Sequence, residues 1–167
     1  LTALLGTSAI SLGILSTDAM ARPMTETDLV MMKRLSAVTA SPDGQMIAYQ
    51  LRETDLAANK GKTDLYMLKL GTADAQPVMF ASTPDKNEHD PAFSPDGKSI
   101  YFISNQSGSD QIWRYDIALA TATQASNFKA DVSGFKISPN GQTFAVWGDI
   151  ARDCMEFGCG TDGDTSK

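Results

Sequence analysis

The sequence predicts an all-β fold, a partial β-propeller of about two and a half four-stranded blades preceded by a short helix and a signal peptide. Three observations predict it. One turn recurs three times, as Ser41-Pro42-Asp43-Gly44, Ser94-Pro95-Asp96-Gly97 and Ser138-Pro139-Asn140-Gly141, at offsets of 53 and 44 residues. Each copy runs into an apolar stretch, Met46 to Tyr49, Ile100 to Ile103 and Phe144 to Trp147. In the first two copies further strand-like stretches follow, Asp64 to Leu70 and Gln111 to Ile117, then the weaker Pro77 to Ala81 and Thr121 to Ser126. A period of about 40–50 residues carrying four strands is the mark of a radial β-architecture, in which blades bury their faces against one another.

The turn explains its own residues. Proline fixes φ at the first central position, Asp or Asn tolerates the second and bonds locally, and glycine supplies the left-handed corner that lets a hairpin reverse. The serine hydroxyl holds the first corner. The Ser, Asp and Gly of these turns are therefore structural.

Ahead of the repeats, residues 1–21 carry one charge, Asp18, and an apolar run from Leu4 to Leu15 that is too short to span a bilayer. Ala19-Met20-Ala21 puts small residues at the two positions a signal peptidase inspects, and Arg22-Pro23 follows. Residues 1–21 read as a secretory signal cut after Ala21, which places the protein in the periplasm or outside the cell. Residues 22–35 form a helical segment: Thr25 with Asp28 approximates a capping box, acids lead and bases close, and Leu29, Met32 and Leu35 would share a face. Residues 36–167 hold the blades. At roughly 40–45 residues per blade this is about three blades' worth of chain, whereas closed propellers have four or more, so the repeats describe a larger molecule.

Composition bounds the chemistry. The 167 residues carry 14 Lys and Arg against 20 Asp and Glu, a net charge of −6, which offers no footprint for a phosphate backbone. Nucleic acid and a membrane span are excluded as partners, and no cofactor is expected. One histidine and two cysteines cannot make a four-ligand zinc site of those residue types. His89, between Glu88 and Asp90, invites a catalytic or metal role but has neither a nucleophile nor a second imidazole nearby in sequence; a turn hydrogen bond is the simpler role. Cys154 and Cys159 favour a local disulfide in an exported protein and free thiols in a cytosolic one. The polar tail from Gly160 to Lys167 is an exposed loop, too short for an EF-hand.

Thr25 to Tyr49, with its Asp-Leu helix, the Arg34-Leu35 pair and Ser-Pro-Asp-Gly leading to Ile47-Ala48-Tyr49, resembles the start of the propeller in secreted bacterial serine peptidases of the prolyl oligopeptidase family. The dipeptidyl-peptidase and acylaminoacyl-peptidase-like branch is the best match. Ala92 to Lys98 and on to Tyr115-Asp116 looks like the blade repeat which that branch shares with Tol-system propellers, and Asp153-Cys154 to Cys159 is similar to a cysteine-bearing loop in some of those enzymes. The resemblance implies that the propeller gates an α/β-hydrolase domain of the same parent protein, covalent or as a second chain, acting on peptides. It implies no catalytic residue here. No Gly-x-Ser-x-Gly elbow occurs, since Ser107-Gly108-Ser109 lacks the flanking glycines, and Ser8 and Ser133 fall in the signal and at a strand start. The paired glutamates that hold a substrate amino terminus in some members are absent too. The alternative is a non-catalytic periplasmic binding propeller of the Tol type.

Overall fold

The computed structural model describes residues 22–149. The signal with its cleavage residues Ala19 and Ala21, the Cys154 and Cys159 pair and the polar tail lie outside the described residues. A short helix, α1 (Glu26–Met31), leads to ten strands: β1 (Arg34–Ala40), β2 (Met46–Asp55), β3 (Lys60–Lys69), β4 (Val78–Ala81), β5 (Glu88–Phe93), β6 (Ser99–Ser104), β7 (Gln111–Asp116), β8 (Thr121–Gln124), β9 (Gly134–Ile137) and β10 (Phe144–Trp147). They form two four-stranded antiparallel sheets, β1-β2-β3-β4 and β5-β6-β7-β8, and a hairpin of β9 and β10. The architecture is the expected two and a half blades.

The three turns adopt one geometry. Gly44, Gly97 and Gly141 have φ of 69°, 70° and 72°, and each donates its N–H to the carbonyl of the turn serine at 2.8–2.9 Å. Ser41, Ser94 and Ser138 donate Oγ–H to Asp43, Asp96 and Asn140 at 2.6 Å, while the same oxygens accept from the amides of Met46, Ser99 and Thr143. The serine hydroxyls, then the amides of Gln45 and Lys98, hold the Asp43 and Asp96 carboxyls below the ordinary range. The turns also meet. A methyl group on Gly97 would sit 3.5 Å from Pro42 Cδ and one on Gly141 3.4 Å from Pro95 Cδ, whereas Gly44 faces open space.

Strand alternation assigns the blade faces. From β6, Ile100 and Phe102 point at the first blade and join Ala48, Leu65, Phe80 and Tyr115 in one buried cluster. Ile103, one residue on, points the other way and joins Ile112, Val132 and Phe135 against the third sheet. The first blade's remaining face carries the cross-strand Tyr49–Tyr66 stack, with ring centroids 5.7 Å apart, and the exposed Leu35 and Met79.

The helix is shorter than the sequence pattern suggests. Its Thr25–Asp28 capping box forms, but Met32 is already extended, and Arg34 and Leu35 pair with Arg52 and Leu51 in the sheet. No residue of α1 is buried, and Leu29, Met32 and Leu35 are each about half exposed. Six residues without tertiary cover gain little from helix propagation, while pairing with β2 satisfies the backbone of Arg34 and Leu35 outright.

Candidate functional site

The innermost strand of each blade, β1, β5 and β9, faces a common groove of about 510 Å³. Its walls mix apolar side chains, Val38, Pro91, Phe93, Phe135 and Trp147, with an about equal share of polar surface that includes two charges, Asp90 and Lys136. β1 and β5 carry a bulge at the same place, four residues before the turn serine. Register shifts between Ser36 and Thr39 and between His89 and Ala92, and the bulged residues Ala37 and Asp90 take left-handed φ of 48° and 51°. Left-handed backbone costs an L-residue about 1–2 kcal/mol. The Gln50 side chain from the first blade helps hold the second bulge, accepting from the Asp90 amide at 3.3 Å. In β9 the corresponding position is Gly134, and the reason is steric: a side-chain carbon there would collide with the indole of Trp147, its cross-strand partner.

Replacing Gly134 with alanine is therefore expected to push the indole off the strand. Trp147 is half exposed and can swing outward, so the cost falls at the lower end of the overpacking range, about 1 kcal/mol. A thermal midpoint and the tryptophan emission maximum check it, with a red shift expected as the ring enters water.

His89 precedes the groove residue Asp90 in β5. Its Nδ1 is 3.0 Å from Asp90 Oδ2, with side chains 27% and 54% exposed. The hydrogen bond to His89 holds the Asp90 carboxyl below its ordinary range, helped by Coulombic attraction to His89 and Lys136 and opposed by partial burial. On the other side Asp110 is pushed up by burial, with Asp131 adding to the shift and His89 opposing it. Asp131 in turn accepts from the Asp110 amide at 2.9 Å. The hydrogen bond to Asp90 orients the imidazole. Among the described residues no serine is bonded to it: Ser107 Oγ bonds the carbonyl of Ser109, and Ser109 Oγ accepts from Gln111, so both serve the β6–β7 turn. Among the described residues no group of three His, Cys, Asp or Glu side chains is placed to hold a metal ion, and no helix is long and apolar enough to cross a membrane.

Two buried acids went unremarked in the sequence. Glu88 is wholly buried and Asp64 is 5% exposed, where the first blade meets the second. The available signal was position: Glu88 opens an innermost strand directly opposite Ser104.

No protein-family profile matches the chain. Dipeptidyl-peptidase 5 of Porphyromonas gingivalis is 29% identical over 109 residues, 65% of this chain and 16% of that protein. Dipeptidyl-peptidase 4 of Giardia intestinalis is 27% identical over 145 residues, 78% of this chain and 18% of its own length. The chain thus spans about a sixth of the curated relatives it matches. Among solved structures, it is similar to an acylaminoacyl peptidase of Pyrococcus horikoshii, with a TM-score of 0.58 and 21% identity over 77% of this chain and 19% of that one. The β-propeller domain of the trilobed protease of Pyrococcus furiosus gives 0.50 and 21%, over 68% and 33%. A TolB-like protein of Agrobacterium tumefaciens gives 0.51 and 22%, over 64% and 35%. The structural likenesses establish a propeller fold; the sequence relatives are peptidases, as the resemblance implied.

Proposed function

We propose that this chain is the amino-terminal part of a propeller in an exported serine peptidase of the prolyl oligopeptidase family, and that the propeller gates peptides on their way to an α/β-hydrolase domain of the same protein. The observation that carries the proposal is the pair of dipeptidyl-peptidase relatives, matched over 65% and 78% of this chain but only 16% and 18% of their own length. The fold agrees with it: the first blade presents an uncovered apolar face and an unoccupied turn glycine, Gly44, where the other two junctions seat a proline. The groove supplies a wall of mixed apolar and polar surface for an extended peptide. The Tol-type binding propeller is the second reading, favoured by the TolB-like fold match.

A fluorophosphonate probe applied to the complete protein separates the two. Covalent labelling of a serine outside residues 1–167, together with peptide hydrolysis that the probe abolishes, is the expected result. A complete protein that adds only further blades and takes no label would establish the binding propeller instead. The same preparation tests export. The mature chain is expected to begin at Arg22, and reduction is expected to add the mass of two hydrogen atoms at Cys154 and Cys159.

A further inference from the structure

The junction between the first two blades contains a polar cluster that neither the groove nor the turns require. From β3 come Lys62, Thr63 and Asp64; from the segment after β4, Ser82 and Thr83; from β5 and its approach, Asn87 and Glu88; from the end of β6, Ser104 and the adjoining Asn105 and Gln106. Neutral bonds tie the two blades together. Asn87 Oδ1 accepts from the Thr63 amide and Asn105 Oδ1 from the Asn87 amide, both at 3.1 Å, while Thr83 Oγ donates to Gln106 Oε1 at 3.2 Å.

Two buried carboxyls, Asp64 on β3 and Glu88 on the contacting strand β5, sit in this cluster on unequal terms. Lys62 Nζ lies 3.0 Å from Asp64 Oδ1 and donates to Ser82 Oγ at 2.8 Å, so Asp64 has a cation beside it, although its buried Oδ1 meets no donor in hydrogen-bonding geometry. Glu88 has no cation. Its Oε1 accepts from Ser104 Oγ at 3.1 Å, and its Oε2, wholly buried, has the Thr83 hydroxyl and amide near the carboxyl but no donor in full bonding geometry. The remaining charges nearby, Asp85 and Lys86, line a separate groove beside Lys62. His89 points the other way along the alternating strand, toward Asp90.

We propose that Glu88 and Asp64 form a proton-dependent latch between the first and second blades: closed while Glu88 holds its proton, and loosened when Glu88 ionises beside the Asp64 carboxylate. Burial pushes the Glu88 carboxyl above its ordinary range and the Asp64 charge adds to this, against the pull of Thr83 and Ser104. The sign follows. A carboxyl that binds its proton more tightly in the folded state costs nothing at low pH, and stability falls as pH climbs from the unfolded value through the raised native one, levelling off above it. β1 and β5 belong to these two blades and form two walls of the groove, so loosening the junction changes the width of the groove.

The test uses the complete protein, carbon-13 labelled at glutamate, and two readouts. Amide exchange at Thr63 and Asn87, corrected for intrinsic rates, reports the junction itself; protection is expected to fall with rising pH by up to about tenfold per unit within the titrating window. Carbon-13 NMR of the Glu88 carboxyl should show a single transition above the ordinary glutamate range. Glu88→Gln keeps a hydrogen-bonding side chain without the titration and should give flat protection. Asp64→Asn removes the like charge and should move the window to lower pH. Equal pH slopes in the wild type and Glu88→Gln, or a Glu88 carboxyl titrating in the ordinary range, would overturn the proposal. If Glu88→Gln does not fold, the wild-type carboxyl titration and its match to the exchange window decide.

Discussion

Phe102→Ala is expected to cost about 3–5 kcal/mol, the range for deleting a buried phenyl ring that its neighbours cannot refill. Phe102 is wholly buried, and its ring stands edge-on to Phe80 of the first blade, with centroids 6.1 Å apart and planes at 83°. Leu65 and Ala48 close the cavity from the same blade, and both are held in β-ladders that resist collapse. Because each blade contacts only its neighbours, the loss is local in origin and should uncouple one junction first. Ile103→Ala provides the comparison. One residue on, it faces β9 and β10, so its smaller loss should weaken the opposite junction. Urea unfolding followed by backbone circular dichroism, with amide exchange on each blade, separates them: Phe102→Ala should lower protection in the first blade, Ile103→Ala in the β9–β10 hairpin. A cost below about 1 kcal/mol for Phe102→Ala, or identical exchange patterns for the two variants, would contradict the assignment of alternate β6 residues to opposite junctions.

That assignment was legible in the sequence because it rests on period two. Ile100-Tyr101-Phe102-Ile103 is apolar throughout, as a strand buried on both faces must be, and the Ser-Pro-Asx-Gly corners fix where each such strand begins. Less legible were the innermost strands themselves. A hairpin turn implies a strand before it, but Arg34 to Ala40 and Glu88 to Phe93 contain charges, a proline and left-handed residues that mask the pattern, since the bulges at Ala37 and Asp90 break the alternation. The same masking extended the helix too far, because Met32 to Leu35 suit helix and strand alike and only the partner β2 decides between them. At the site, titratability drew attention to His89, which is oriented by the Asp90 carboxyl. Glu88, one position earlier, reads as an ordinary surface acid until Asp64 and Ser104 are brought to it by strands 24 and 16 residues away in sequence.

Gln111 illustrates the same limit and carries the second large expected effect. In sequence it is a polar residue at the start of a strand; in the fold it is 1% exposed, and its carboxamide organises residues 126–130. Nε2 donates toward Ser109 Oγ at 3.1 Å and to the carbonyls of Phe128 and Ala130 at 3.0 and 3.3 Å, while Oε1 accepts from Ser126 Oγ at 2.9 Å and the Phe128 amide at 2.8 Å. This segment leads to Val132, which is buried against Ile103 and Ile112, so the loop's position determines how the third sheet meets the second blade. Gln111→Leu keeps the volume but withdraws both the donor and the acceptor from buried backbone groups, an expected loss of about 2–4 kcal/mol. Gln111→Glu is the sharper test. Ionised, it turns a buried carboxylate oxygen toward the two carbonyls that now receive an N–H, so at neutral pH it should be no more stable than the leucine variant. Protonated, it regains a donor for one of them. Its carboxyl is therefore expected to bind a proton more tightly folded than unfolded, and the variant should recover stability as pH falls through that raised value, a trend that Gln111→Leu cannot show. Urea midpoints of both variants at about pH 4.5 and about pH 8, each set against the wild type at the same pH, decide it. Recovery of the glutamate variant alone identifies the carbonyls of Phe128 and Ala130 as groups that need a donor; parallel behaviour of the two would mean that Gln111 acts by filling space.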